Sequence, residues 1–420
     1  MNSLLGKLAR REQLREARGE PSDEAAQAAR FALPARVPGT TGETLDFDST
    51  NAPLGVRHTR QELERPLRCF GKVALAEALT ADTRLLARLA LDPALELLAL
   101  KDALYLDTET SGLGGGTGNR AFLVGMCWFD SERGAFVLEQ LLLRDLDDEA
   151  ALLDRVRERV EAASFIVSYN GKSFDVPLLR TRMLLARLGP FPERPHLDLL
   201  HLARRVHARR GWRMSLGVVE KRVLGFERGP DIAGEEVAMR YAHYLWSGDE
   251  GCLAEVVTHN RYDVWSLVAL LGYYGRAPES DAAFQSGIAV PELSAMARVL
   301  RRAGDLGWAT RIADRAVALG PLDEPALLAE PSDDARDALW TRARIAKSSG
   351  DRAQAMADFT RLVARAEDAE ARLELAKLYE HFCGELPLAL ELVALGTGES
   401  PADTERRRQR LIRKIERKRK

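Results

Sequence analysis

Cysteine is scarce, with four in 420 residues at positions 69, 127, 252 and 383, and these form no C-x-x-C pair and no regular spacing. That arrangement speaks against a disulfide framework and leads to the expectation of a reduced, cytoplasmic setting. Long apolar runs are missing too. No stretch approaches eighteen uncharged apolar residues, and the opening segment MNSLLGKLARREQLREARGE has no apolar core, so neither membrane spanning nor secretion is expected. A net charge of one sign is also lacking, because 61 Lys and Arg nearly balance 63 Asp and Glu. The balance is uneven along the chain. Residues 405–420, ERRRQRLIRKIERKRK, carry about +8 and leave about −10 on the rest, so any attraction to nucleic acid is local. The apolar fraction of 46% fits a chain that folds into two or three domains with filled cores.

What is present is organised around ALYLDTETSGLGGGTGNRAFLVGMCWF, residues 103–129. Residues 103–106 read as a buried strand, and Asp107 and Glu109 follow it two residues apart, so both carboxylates leave one face of an extended backbone. Adjacent carboxylates repel each other, and a divalent cation that prefers oxygen, Mg²⁺ or Mn²⁺, is the simplest counterweight. Alone, the pair is equally readable as two solvated acids at a sheet edge. A glycine-rich turn at 112–118 leads to a second strand at 121–129, and 135–141 reads as a third, which makes an antiparallel meander.

Farther along, 145–163 is helical by period and 165–169 is a fourth strand that runs into Asn170-Gly171, a turn. Ser173 is the expected N-cap of the next helix, with Asp175 in its first turn and Pro177 tolerated there. Residues 196–200 form a fifth strand or a helix start. After them comes a basic stretch with Arg204, Arg205, His207, Arg209, Arg210 and Arg213 around Trp212, which reads either as a track for phosphates with a stacking ring or as a solvated basic face. A helix over 251–273 places His259 and Asp263 four residues apart on one face.

Three segments, DTET at 107–110, YNGKSFDVPLLR at 169–180 and HNRYDVWSL at 259–267, resemble the three motifs of the DEDD (DnaQ-like) exonuclease superfamily. The bacterial YprB-type group is the closer resemblance, through LDTET-G-L-GGTG--AFLVG and an SL-VE--LG stretch that falls here on Ser215, Leu216, Val219, Glu220, Leu224 and Gly225. The resemblance spans residues 97–272. It implies an RNase H-like mixed sheet flanked by helices and a nuclease that hydrolyses phosphodiesters with two Mg²⁺ or Mn²⁺ ions. Asp107 would bridge both ions, Glu109 and Asp263 would complete one side, and Asp175 would hold the other ion through water. It further implies His259 as the general base. The spacing departs from the superfamily there: one branch has tyrosine at minus four from the last Asp and the other has histidine at minus five, whereas this chain has histidine at minus four and Thr258 at minus five. Asn170, Arg209, Arg210, Trp212 and Arg213 are the expected nucleic-acid contacts, with DNA preferred over RNA and a helicase as a protein partner.

Beyond residue 277 the chain is alanine-rich and helical, with Gly304-Asp305, Gly350-Asp351 and Gly384-Glu385 marking turns between paired helices; the last two lie 34 residues apart, the period of tetratricopeptide repeats. The first-to-second spacing implies an insertion at 322–334. Such pairs either form a concave face for a partner or cap the catalytic domain. The expected layout is therefore a helix and irregular arm (1–60), an RNase H-like exonuclease domain (61–276), an all-α tetratricopeptide-like domain (277–400) and a basic tail (401–420) that is flexible or a helix lying on phosphates. A structure-specific endonuclease with the same site, and a non-catalytic nucleic-acid- or protein-binding scaffold, are the rival readings.

Overall fold

A computed structural model describes residues 44–112, 118–229, 232–276, 288–320, 332–366 and 368–419. The expected N-terminal helix, the earlier part of the arm, the middle of the glycine-rich turn and most of the 322–334 insertion lie outside the described residues.

The meander forms as expected. Strands β5 (Ala103–Thr110), β6 (Ala121–Asp130) and β7 (Ala135–Leu142) pair antiparallel, while β8 (Phe165–Ser168) and β9 (His196–Asp198) add in parallel on the other side of β5. The arm expected through residue 60 departs from this reading. Residues 48–64, which overlap the end of that arm, are two further strands, β1 (Asp48–Ala52) and β2 (Gly55–Glu64), which extend the sheet along β7 to give the order β1-β2-β7-β6-β5-β8-β9, while β3 (Cys69–Phe70) and β4 (Val73–Ala74) pair separately. Their composition hid them because β1 is an exposed edge strand and β2 is only half-buried, so neither presents an apolar alternation. The resulting architecture is the RNase H-like mixed sheet flanked by helices, followed by an all-α region.

Strand β5 divides two cores by its period of two. Leu104 and Leu106 enter one core with α2 (Glu149–Ala162) and α3 (Asp175–Leu185), whereas Ala103 and Tyr105 enter the other with α1 (Thr83–Ala90) and α6 (Ala254–Tyr274). Between α3 and α6 lie α4 (Leu199–Val206) and α5 (Gly234–Ser247). Continuing the alternation, Asp107 and Glu109 stand on the α6 side and Thr108 on the α3 side. A register shift between Glu109 and Thr110 ends the regular ladder at that tip.

The helical region consists of pairs α7 (Val290–Arg302) with α8 (Leu306–Leu319), α9 (Asp333–Ser349) with α10 (Arg352–Ala366), and α11 (Ala369–Leu378) with α12 (Leu386–Ala394). Gly304, Gly350 and Gly384 all turn with positive φ at the expected positions. The recurrent alanines 309, 355 and 389 are fully buried where each second helix packs on its partner. The basic tail is a helix, α13 (Pro401–Arg419), which inserts Leu411 into the core of the last two pairs. Arg410 and Lys414 each bond the buried Glu380 at 2.8 Å, and Arg407 pairs with Glu399 at 2.7 Å. Among the described residues no helix is long and apolar enough to cross a membrane.

Candidate metal centre

Three elements, β5, α3 and α6, carry the predicted acids to one end of the sheet. Strand β5 supplies Asp107 and Glu109, and α6 crosses it closely enough for Asn260 Nδ2 to donate to Asp107 Oδ2 at 2.9 Å. That approach depends on Gly125, the residue paired with Asp107 on β6, because a Cβ there would stand 2.4 Å from Asn260 Oδ1 and 2.6 Å from Val264. The same helix brings His259 and Asp263 over the strand: His259 Nε2 lies 3.4 Å from Asp263 Oδ2 and 3.9 Å from Glu109 Oε1. Ligand atoms of Glu109, His259 and Asp263 all lie within 4.8 Å of one another, a set that could hold one metal ion.

Asp175 enters from the opposite face. Thr108 Oγ1 donates to Asp175 Oδ1 at 2.6 Å, tying the first residue of α3 to the strand between the two β5 acids. The turn that aims it is held by Asp198, whose carboxylate accepts the amides of Asn170 at 2.8 Å and Lys172 at 3.1 Å. Asn170 itself turns with φ of 68°. Gly171 is needed at this crossing, since a Cβ would stand 2.4 Å from Ser168 Oγ and 3.1 Å from Asp175 Oδ2. The expected cap does not form. Phe174 occupies the N-cap position of α3 without a side-chain bond, Ser173 is exposed, and Asp198 satisfies the turn's amides instead.

The electrostatics of this end are those of crowded anions. Burial, followed by the charges of Asp263, Asp175 and Glu109, pushes Asp107 well above the usual carboxylate range. Burial raises Glu109 to about 7 against the pull of His259, and raises Asp175 to about 6 against the Thr108 hydrogen bond. Arg228 sets a guanidinium against them: it bonds Asp263 Oδ1 and Glu220 and stands 3.1 Å from His259 Nδ1. A guanidinium only donates, so His259 Nδ1 is the acceptor and a neutral imidazole carries its proton on Nε2, the nitrogen facing the acids.

The basic stretch is placed elsewhere. Arg210 forms a two-pronged pair with Glu292 of α7 at 2.8 Å, Arg209 pairs with Asp337 of α9, and Trp212 stacks on His207 with ring centroids 5.5 Å apart. Arg213 is exposed beside them. These residues form the seam between the sheet and the helical region. Tyr262 faces away from the acids, against Phe70 and Phe226.

Sequence reasoning missed Thr108, Asn260, Arg228 and also Gln140, whose Nε2 donates to Asn260 Oδ1 at 2.9 Å. Gly125 in the middle of an apolar strand was the available signal for a close crossing; nothing marked Arg228, which acts from a loop eight residues past Glu220.

Residues 104–274 match a family model, RNase_H_2, of the RNase H superfamily. This segment is similar to that superfamily. It contains every acid of the cluster together with His259, Glu220 and Arg228. The chain is also 42% identical over 168 residues to a Bacillus subtilis (strain 168) protein named "Uncharacterized protein YprB". The matched part covers 40% of this chain and 40% of that relative's length. The matched segment thus runs from β5 to the end of α6.

Proposed function

We propose that the chain is a divalent-metal-dependent exonuclease that hydrolyses phosphodiester bonds, acting on DNA in preference to RNA. The convergence of Asp107, Glu109, Asp175 and Asp263 from one strand and two helices, with burial and the neighbouring carboxylates raising Asp107 and Glu109 and burial raising Asp175, carries the reading. The donor set fits Mg²⁺ or Mn²⁺, being carboxylate oxygens. Glu109, Asp263 and Asp107 would hold one ion; Asp107 and Asp175, which reaches the strand from the other face, would hold a second. Paired ions supply Lewis-acid stabilisation of the phosphate and a nucleophile at neutral pH. The protein's own contributions are positional: Thr108 fixes Asp175, Asn260 fixes Asp107, and His259 moves a proton at the cluster's edge through Nε2. Acting there as the general base, His259 must first release Nδ1 from Arg228, because the bonded tautomer already carries its proton on Nε2.

The DNA preference, a helicase partner on the tetratricopeptide-like pairs and a cytoplasmic setting rest on the resemblance and on four cysteines that are all free. Asn170 and the seam residues Arg209, Arg210, Trp212 and Arg213 remain the proposed nucleic-acid contacts, with Arg209 and Arg210 exchanging their present carboxylate partners for phosphates. The test is cleavage of end-labelled linear and covalently closed circular DNA, and of matching RNA, with Mg²⁺, Mn²⁺ or EDTA. Release of short products from linear DNA only, and only with metal, is expected. Cleavage of the circles, or activity in EDTA, would contradict it.

A further inference from the structure

Glu220 belongs to no step of the chemistry above, and Arg228 enters it only as the partner that His259 releases, yet the two form the most completely buried ion pair beside it. The side chain of Glu220 is fully buried and that of Arg228 is 7% exposed. Local structure explains how they meet. Residues Glu220–Leu224 form one π-helical turn, Gly225 reverses the chain with φ of 66°, and Phe226 N returns to Glu220 O at 3.2 Å. That reversal brings Arg228 back over Glu220.

The guanidinium then distributes its N–H groups among three residues. Nε donates to Glu220 Oε2 at 2.6 Å, Nη2 donates to Glu220 Oε1 and to Asp263 Oδ1, and Nη1 donates to His259 Nδ1 at 3.1 Å. Glu220 is secured from behind by the hydroxyl of Ser266, three residues beyond Asp263 on the same helix. Burial works against the charge of Arg228, but Asp263 and Glu220 outweigh it and raise its pKa. A lysine would balance charge here without fixing direction, whereas a planar fork sets the plane of the carboxylate it holds.

The consequence lies in which oxygen of Asp263 is left over. Oδ1 is engaged by Arg228, and Oδ2 faces His259 Nε2 in the same cluster as Glu109. We infer that Arg228, anchored by Glu220, is a positioning residue that holds Asp263 through Oδ1 so that Oδ2 is the oxygen presented to a divalent cation. The inference rests on the metal-dependent reading above and assigns a role to the glutamate of the SL-VE--LG stretch.

Mn²⁺ titration of the full chain, followed by the electron paramagnetic resonance signal of free aqua-Mn²⁺, tests it independently of activity. R228Q and E220Q should each weaken Mn²⁺ binding by about 10–100-fold, the usual effect of losing an outer partner of a metal ligand. R228K should show a comparable loss despite keeping the charge, and the E220Q/R228Q double variant should lose no more than either single one. Thermal melts identify any variant that fails to fold; R228K and E220Q carry the test if R228Q does. Tighter binding by R228Q would show that Arg228 only competes with the cation, and wild-type affinity in R228K would show that charge alone matters; either result overturns the positioning role. Unchanged affinity in all variants overturns it too, provided wild-type binding is abolished by D107N. If the wild-type chain binds no Mn²⁺, the metal reading itself has failed.

Discussion

Asn260 reaches across 153 residues of sequence to hold Asp107, and the orientation of its amide is set by Gln140, whose Nε2 donates to Asn260 Oδ1 at 2.9 Å. The amide nitrogen therefore has to face the acid. Gly125 leaves the space in which this happens, so Gly125→Ala should push Asn260 and Val264 off the strand. We expect a loss of about 1–3 kcal/mol of stability, the usual effect of overpacking a filled core, read as a lower urea midpoint. A midpoint equal to that of the wild type would show that helix α6 is not seated as closely as described.

Acid crowding sets a pH dependence with a definite sign. Glu109 has an ordinary value of 4.5 and rises to about 7 in the folded chain, so the folded state binds more protons across that interval. Its stabilising contribution is complete below the unfolded value and is lost as pH rises through about 7. Asp175 acts in the same direction between 3.8 and about 6. In EDTA, E109Q should melt higher than the wild type at pH 8, and the difference should vanish near pH 4. A wild type that gains stability over E109Q with rising pH would contradict the crowding.

The C-terminal helix gives a prediction of another kind. Glu380 is buried beneath Arg410, Lys414 and Arg407, and Leu411 fills the adjacent core. Glu380→Ala removes the shared partner of three cations and should free α13 from the last helix pair. Trypsin should then cut within 406–419 at least several-fold faster than in the wild type, while the sheet domain stays intact. Equal cleavage rates would mean that Leu411 and the Arg407–Glu399 pair hold the helix without Glu380.

Much of this was legible in the sequence, for reasons that vary by residue. The β5–β7 meander was readable because its strands are fully buried and bounded by turn residues, and Asp107, Glu109, Asp175 and Asp263 were readable because each ends an element or sits on an apolar helix. Strands β1 and β2 were not, because an exposed strand and a half-buried polar one leave no periodic signal. Ser173 had the composition of a cap, but the amides that needed one were taken by Asp198, a residue 25 positions away whose availability depends on the pairing of β8 with β9. The basic stretch shows the limit most clearly: its composition suits phosphates, yet Glu292 and Asp337, which now face Arg210 and Arg209, come from helices more than eighty residues later. Pairing between distant charges is a tertiary fact that composition does not carry.

The most direct measurement is single-turnover cleavage of a 5′-labelled DNA strand by wild type and D107N, with Mn²⁺ present and folding of both verified by melting in EDTA. The account predicts that D107N melts at or above the wild-type temperature at pH 8, because a crowded charge is removed, while its cleavage rate falls by at least about 10²-fold, as the loss of a group on which the chemistry depends requires. Cleavage by folded D107N at the wild-type rate would contradict the claim that these four acids are the nuclease site.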